Sequence, residues 1–375
     1  MHFRRESNRP GKDPATKEYR ADFARTWGLT VFAGRRKRLL SLARGNQVVA
    51  RTKENLYYLT DFYGGGNGVV YPDRTVVVTL DLEEERVRKV GKEVELVAVK
   101  RGRDIPRVVS RYLERGDVFV DDDERLTSKR FRKKPELFLH ARKVKDELEI
   151  ERIQTASRGV DRIYEALPGE LRVGRTEWQV AAEAVKLATE MKLAPPRRDA
   201  GFDPLTIAGG ENGAMGHAQL TDRKLRNGDF VVADIFFRFE GYHTDATRTF
   251  VVGTPTTAMK RDYAAVREAQ EAALDVIRPG AVCADVHNTA IAVLKSRGVD
   301  KLMNHSLGHG VGIGLHEEPG LGAGNRTRLE RNDVVTDEPG IYRQGRYGIR
   351  IEDTLRVDSK PVLLTRYTKD LVTCG

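Results

Sequence analysis

Cysteine is nearly absent: the 375 residues hold two, Cys283 and Cys374. Two thiols cannot staple a disulfide scaffold, and their scarcity points to a reducing compartment. Long apolar runs are absent too. None reaches the roughly 18 residues that would read as a membrane-spanning helix, and the apolar stretches are strand-sized. The opening residues 1–20, MHFRRESNRPGKDPATKEYR, carry charge and no apolar segment, so no secretory leader is expected. There is no repeat of fixed period and no low-complexity tract, which excludes solenoid and fibrous classes. The HExxH signature is missing, which excludes that class of zinc protease.

What is present is a long, heavily ionised globular chain. Charged residues make up 32% and hydrophobic residues 39%. At about 150 residues per domain the length suggests two domains. The net charge of +10 is unevenly placed. Residues 1–150 hold 34 basic and 24 acidic side chains, so the whole excess sits there and the remainder is neutral. A basic half can mark a nucleic-acid partner. The clusters Arg35 to Arg38 and Lys129 to Lys134 contain only Phe131 as an aromatic. That is poor material for base stacking, so a solvated surface is the expectation and no specific nucleic acid is expected.

The pattern changes near residue 145. Before it, Gln47 to Ala50, Leu56 to Leu59, Gly68 to Tyr71, Thr75 to Leu80, Leu96 to Val99 and Val118 to Val120 read as strands. Residues 83–91 and 105–115 read as helices, giving an α/β domain with a mixed sheet. Gly64 to Gly68 reads as a loop or turn. It is no phosphate loop, because no Lys-Ser/Thr follows it. Residues 143–166 read as one long amphipathic helix, with others at Glu177 to Met191, Ala258 to Ile277 and Ala284 to Arg297. Expected domains are 1–142 and 143–375.

Six of the eight histidines fall between His217 and His316. The same half carries VVADIFFRFEGYHTDATRTF, HSLGHGVGIGLHEEP, VVTDEPGIY and GIRIEDT. Asp234 interrupts an apolar strand from Phe230 to Phe239, and Tyr242 to Val252 reads as the return strand. In a hairpin with an even-numbered loop, their odd separation puts Asp234 and Asp245 on one face. Two such carboxylates repel unless a proton or cation intervenes. A divalent cation would hold both; pairing with Arg238 and Arg248 is the alternative. His305, His309 and His316 follow in a Gly-rich segment, then Glu338 before a Pro-Gly turn. In Ile349 to Thr354, alternation separates Ile349 and Ile351 from Arg350, Glu352 and Thr354. Four carboxylates and an imidazole on β-rich segments suit a dinuclear site of manganese, cobalt or iron.

These four segments together resemble the pita-bread metallopeptidases, in the aminopeptidase P and prolidase branch. TKENLYYLTDFYG resembles the creatinase-like N-terminal domain of that branch. The resemblance implies an α/β N-terminal domain followed by an α+β pita-bread catalytic domain. It implies metal ligands at Asp234, Asp245, His309, Glu338 and Glu352, with Asp245 and Glu352 bridging two divalent ions, manganese first among Mn, Co and Fe. It implies hydrolysis of Xaa-Pro bonds by a metal-activated hydroxide, as an aminopeptidase or a dipeptidase. Glu338 would be the base, His316 the oxyanion partner and His217 the partner of the leaving nitrogen. His305, Arg350 and Tyr342 would serve the prolyl end. Small proline-containing peptides, a homodimer, no membrane and a cytoplasmic location are the further expectations. The rival readings are a metal-free amidinohydrolase of creatinase type and a non-catalytic binding module on the same fold. Phe236 stands two residues after Asp234, where the family usually has Gly; Ala218 and Tyr367-Thr368 are the other departures.

Overall fold

The computed structural model describes residues 31–90, 93–122, 124, 126, 128–195 and 205–375. The opening residues 1–20 and Gly91 lie outside them. The chain divides into two compact units, Met1–Ala141 and Arg142–Gly375.

The first unit is built on a six-stranded mixed sheet. Its strands are β1 (Gln47–Ala50), β2 (Asn67–Val70), β3 (Thr75–Leu80), β4 (Val94–Val99), β5 (Val118–Val120) and β6 (Phe131–Lys133), in the order β4-β3-β2-β1-β5-β6. β1 pairs antiparallel with β2 and parallel with β5. Helices α1 (31–43), α2 (Lys53–Thr60), α3 (Glu84–Val87), α4 (Ile105–Val109) and α5 (Pro135–Lys143) accompany it. Val49, Val69, Val76, Val78 and Val120 are at most 1% exposed and form its core.

Leu56 to Leu59 is helix, not strand. Thr52 caps α2 by accepting the Asn55 N–H, and every residue from Asn55 to Thr60 is buried. A short apolar run buried on all sides has no period that separates helix from strand. The helices read at 83–91 and 105–115 are cut short, to Glu84–Val87 and to Ile105–Val109 with one 3₁₀ turn beyond it. The basic cluster at 35–38 is only partly surface. Arg35 and Arg36 are 3% and 1% exposed. Arg36 pairs with Glu93 at 2.7 Å, and Arg35 lies over the Tyr58 ring and donates to the Tyr58 carbonyl.

The second unit opens with α6 (Glu147–Ala166). The single helix read at 143–166 is broken, because Val144 bridges to Asp333 and Asp146 starts a new helix with a capping box to Glu149. That box satisfies two otherwise orphaned N–H groups. Then come α7 (Glu177–Glu190), β7 (Leu205–Gly209), β8 (Phe230–Phe239), β9 (Tyr242–Val252), α8 (Thr257–Val276) and α9 (Cys283–Ser296). The remaining strands are β10 (Gly308–Gly310), β11 (Glu317–Leu321), β12 (Val334–Asp337), β13 (Gly340–Arg343), β14 (Tyr347–Arg350), β15 (Asp353–Arg356), β16 (Val362–Leu363) and β17 (Thr373–Cys374).

β17-β9-β8-β7 form one sheet, β11-β10-β12-β15-β16 a second, and β13-β14 a separate ribbon. Two cores flank them. α6 and α7 pack Val160, Ile163, Val180 and Ala184 against Ile207, Ala233 and Phe250. α8 and α9 pack Val266, Ala269, Val286 and Ala290 against Val251, Val335, Ile349 and Leu355. Helices thus line two apolar sheet faces, and polar side chains on the opposite faces are left to meet one another. This is the expected α/β unit with a mixed sheet, followed by an α+β unit.

Candidate metal centre and active site

The β8–β9 hairpin carries the first two carboxylates. Its turn is two residues, Glu240 and Gly241, with φ of 44° and 82°, the mirror-image turn that matches strand twist. The register pairs Asp234 with Thr247 and Phe236 with Asp245. Both Asp therefore lie on one face, diagonally opposed. The alternative pairing with Arg248 is not what forms. Arg248 turns to Asp353 at 2.7 Å, and Asp234 Oδ2 accepts from Arg350 Nη2 at 2.5 Å.

His309 sits on β10. Its Nδ1 donates to the Gly310 carbonyl at 3.0 Å. That fixes the proton on Nδ1 and leaves the Nε2 lone pair directed at carboxylates. Nε2 lies 3.7 Å from Asp245 Oδ2 and 3.5 Å from Glu338 Oε1. Glu338 falls between β12 and β13, where the chain leaves one sheet for the ribbon. The strand read at 349–354 is interrupted: Ile351 and Glu352 lie between β14 and β15. The alternation survives, with Ile349 and Ile351 in the core and Glu352 Oε2 accepting from Thr247 Oγ1 at 2.7 Å. Ligand atoms of Asp245, His309 and Glu352 all lie within 4.8 Å of one another.

All five of these residues line a cavity of about 640 Å³, with His217, His305, His316, Tyr342, Arg350 and Phe236. Every sequence-assigned site residue is therefore gathered there. The His316 ring is centred 4.1 Å from that of His309. Arg350 organises one wall. It donates through Nε to Thr247 Oγ1 and through Nη1 to the Gly216 carbonyl and Tyr342 Oη. Tyr342 in turn hydrogen-bonds His305 Nε2 at 3.0 Å, while His305 Nδ1 meets the Ser306 carbonyl.

The electrostatics are those of an acid cluster short of positive charge. Burial, then Glu352, Asp234 and Glu338, push Asp245 well above the ordinary carboxylate range. Glu352 is raised well above that range by burial, then Glu338 and Asp234. Burial drives Glu338 up to about 8, against the pull of Arg350. Burial, then His316, lowers His309 to about 3, so its imidazole is neutral at neutral pH. Burial and Arg350 lower His305 to about 4.

The model for metallopeptidase family M24 matches residues 151–359, more than half of the chain. This chain belongs to metallopeptidase family M24. It is 39% identical over 217 residues to a probable dipeptidase PepE of Mycobacterium tuberculosis, spanning 58% of this chain and 56% of that relative's length. It is 31% identical over 328 residues to the Xaa-Pro dipeptidase of Pyrococcus furiosus, covering 85% of this chain and 92% of the relative. The solved prolidase of Pyrococcus horikoshii OT3 superposes with a TM-score of 0.81 at 27% identity, over 90% of this chain and 99% of that one.

Family M24 enzymes use divalent metal ions, and the donor set fits them. Asp234 Oδ1, Asp245 Oδ1 and Glu352 Oε1 are buried without a hydrogen-bond partner. A buried carboxylate oxygen left bare is costly, and three beside an imidazole lone pair suit a cation.

Sequence reading missed the supports. Thr354 Oγ1 accepts the Asp245 N–H and donates to the Asp245 carbonyl. Thr336 Oγ1 accepts the His309 N–H, and Thr247 holds Glu352. His287 Nδ1 accepts the Leu307 N–H, and the Leu307 carbonyl accepts that of Glu338. The signal for the threonines was available: each stands two residues from a proposed ligand, and Thr247 shares a face of β9 with Asp245. Nothing local marks His287 or the burial of Arg248.

Proposed function

We propose that this M24 chain hydrolyses Xaa-Pro bonds, with Asp234, Asp245, His309, Glu338 and Glu352 as ligands of two divalent ions. The observation that carries the reading is the cavity that Asp234, Asp245, Glu338 and Glu352 line together, with three bare carboxylate oxygens and with Asp245 and Glu338 beside the His309 Nε2. Bound divalent ions supply Lewis-acid polarisation of the scissile carbonyl and lower the pKa of water toward neutrality. The chain's own residues do the rest. Glu338, ionised once divalent ions occupy the site, takes the proton of the attacking water and returns it toward the leaving nitrogen. His316, beside His309, donates to the developing oxyanion. His217 assists the departing prolyl nitrogen. His305 and Tyr342, ordered by Arg350, face the prolyl ring.

The names of the relatives that align over most of their length favour a dipeptide substrate. Gly-Pro, Ala-Pro and Ala-Pro-Ala are the deciding substrates, tested after chelation and after return of Mn²⁺, Co²⁺ or Fe²⁺. The expected result is loss of Xaa-Pro cleavage on chelation, recovery with Mn²⁺ foremost, and preference for dipeptides. Full activity in a metal-free sample defeats the reading. The intact donor set opposes both the amidinohydrolase and the binding-module alternatives.

The proposal includes a cytoplasmic homodimer without a specific nucleic-acid partner. Both cysteines are free and buried, and no described helix is long and apolar enough to cross a membrane. Exposed arginines of the first unit face local acids, as in Arg88–Glu84 and Arg132–Asp117. Light scattering tests the dimer. Salt-resistant binding to duplex DNA tighter than about micromolar contradicts the last reading.

A further inference from the structure

Glu317 has no part in the chemistry above, yet it is among the most enclosed charges of the second unit. Its side chain is 3% exposed. Oε1 accepts the Gly314 N–H at 2.8 Å and lies 3.0 Å from Arg142 Nη2. Oε2 lies 3.3 Å from Lys145 Nζ. Both cations are buried as well, at 9% and 0% side-chain exposure. Burial alone would raise the Glu317 carboxyl; Arg142, Lys145 and the Gly314 N–H outweigh it and hold it below its ordinary value.

The cations are themselves anchored. The Lys145 N–H donates to the Asn332 carbonyl, Val144 bridges to Asp333, and Lys143 Nζ pairs with Asp333 at 3.0 Å. The segment 142–145 is thus a fixed post. The loop from Gly312 to Glu317 is folded back against it. A Cβ on Gly312 would sit 2.6 Å from Glu317 Oε2, and one on Gly314 3.1 Å from Glu317 Cγ. The two glycines leave the room that the carboxylate occupies. On its other side the loop is held by the His243 N–H, which donates to the Gly312 carbonyl at 2.8 Å. His316 is the residue before Glu317, and its ring rests on that of His309.

We propose that Glu317 is a positioning residue for His316: clamped by Arg142 and Lys145, its carboxylate holds the 312–317 loop in the fold that lays His316 over the metal-ligand set. The geometry suits this task better than simple stability. The carboxylate ties Gly314 of its own loop to Arg142 and Lys145 of a distant segment, and the residue next to it lines the cavity. The inference rests on the catalytic reading of His316 given above.

A double-mutant cycle on Ala-Pro cleavage tests it, with metal content and thermal unfolding followed for each variant. His316→Ala is expected to lose about 10²–10³ in kcat, the worth of one oxyanion donor. Glu317→Ala is expected to lose at least roughly tenfold in kcat, with full metal content and little change in KM. In the double variant the losses do not multiply, because a group acting through His316 has nothing left to act on. Glu317→Gln keeps volume and the Gly314 contact, and is expected to recover part of kcat. If Glu317→Ala does not fold, Glu317→Gln and Arg142→Gln carry the same cycle. Multiplying losses, or unchanged kcat in the folded variants, overturn the positioning role. Absence of Ala-Pro cleavage by the metal-loaded wild type defeats the catalytic reading instead, so the two failures are distinct.

Discussion

Arg350 Nη2 and Asp234 Oδ2 stand 2.5 Å apart, and this pair joins β8, the first strand of the hairpin, to the end of β14, just before Glu352. The same guanidinium reaches Thr247, Tyr342 and the Gly216 carbonyl. Thr247 holds Glu352, and Tyr342 holds His305. One planar cation therefore orders two proposed ligands, Asp234 and Glu352, and two proposed substrate contacts, Tyr342 and His305, and it neutralises part of the acid cluster.

Arg350→Lys keeps the charge and loses the fork, so it is not conservative here. The expected outcome is a folded protein whose metal affinity falls about 10–100-fold, the usual cost of removing an outer partner of a ligand. Titration of the metal-free variant with Mn²⁺ measures it. Affinity equal to wild type would show that Arg350 does not order the ligand set.

The hairpin was the most legible part of the chain. Phe230–Phe239 and Tyr242–Val252 were bounded correctly from apolar patterning and the Glu240-Gly241 turn, and the face shared by Asp234 and Asp245 follows from counting alone. The proposed ligand set came from four segments taken together and from the resemblance they carry, because a single carboxylate in an apolar strand has an arginine partner as its alternative explanation. Leu56 to Leu59 was misread because its neighbours bury it all round, which erases periodicity. The break after Lys143 was hidden because it depends on Val144 bridging to Asp333, 189 positions away. Glu317 went unnoticed for the same reason: its partners Arg142 and Lys145 are remote in sequence, and a Glu after a His has no local mark.

The ion pairs of this chain should differ sharply in worth. Asp353 is fully buried and meets Arg248 at 2.7 Å, Lys369 at 3.1 Å and Gln270 at 2.9 Å. Asp353→Ala leaves two cations without their carboxylate and should cost roughly 3–5 kcal/mol. Arg88 and Glu84 form an exposed helical pair, so Arg88→Ala should cost about 0–0.5 kcal/mol. Urea unfolding of the two variants compares them. Similar losses would contradict the assignment of Asp353 as the hub of this network.

Asp234 and His316 should fail in different ways. Asp234→Ala removes a ligand and leaves Arg350 unpaired. It should lose bound metal and also stability, since bound metal contributes to folding. His316→Ala should keep the metal and the fold and lose turnover, because an oxyanion contact strengthens only as charge develops. Metal analysis with kcat on both variants decides. Wild-type turnover in His316→Ala, or full metal occupancy in Asp234→Ala, shows the roles to be misassigned.

The last prediction concerns pH, and its sign differs between the metal-free and metal-loaded protein. In the metal-free chain His243, His305 and His309 have pKa values lowered to about 4, 4 and 3, burial being the first cause of each. Unfolded histidine titrates near 6.5. Between those values the unfolded chain binds protons that the folded chain refuses, so stability falls as pH drops from about 6.5 to about 4. Glu338 works in the other direction. Raised to about 8, it keeps its proton in the folded state where the unfolded chain has lost it, so metal-free stability also falls as pH rises from about 4.5 toward 8. Asp245 and Glu352, raised by the same burial and mutual repulsion, add to that slope. A divalent ion needs these carboxylates ionised, and binding must expel their protons. The Mn²⁺-induced rise in Tm should therefore be larger at pH 8 than at pH 5.5. Calorimetric binding at pH 7 in two buffers of different ionisation enthalpy should show net proton release. A rise in Tm that does not depend on pH, together with no proton release, would mean that the carboxylates are already ionised in the metal-free protein and that another cation compensates them.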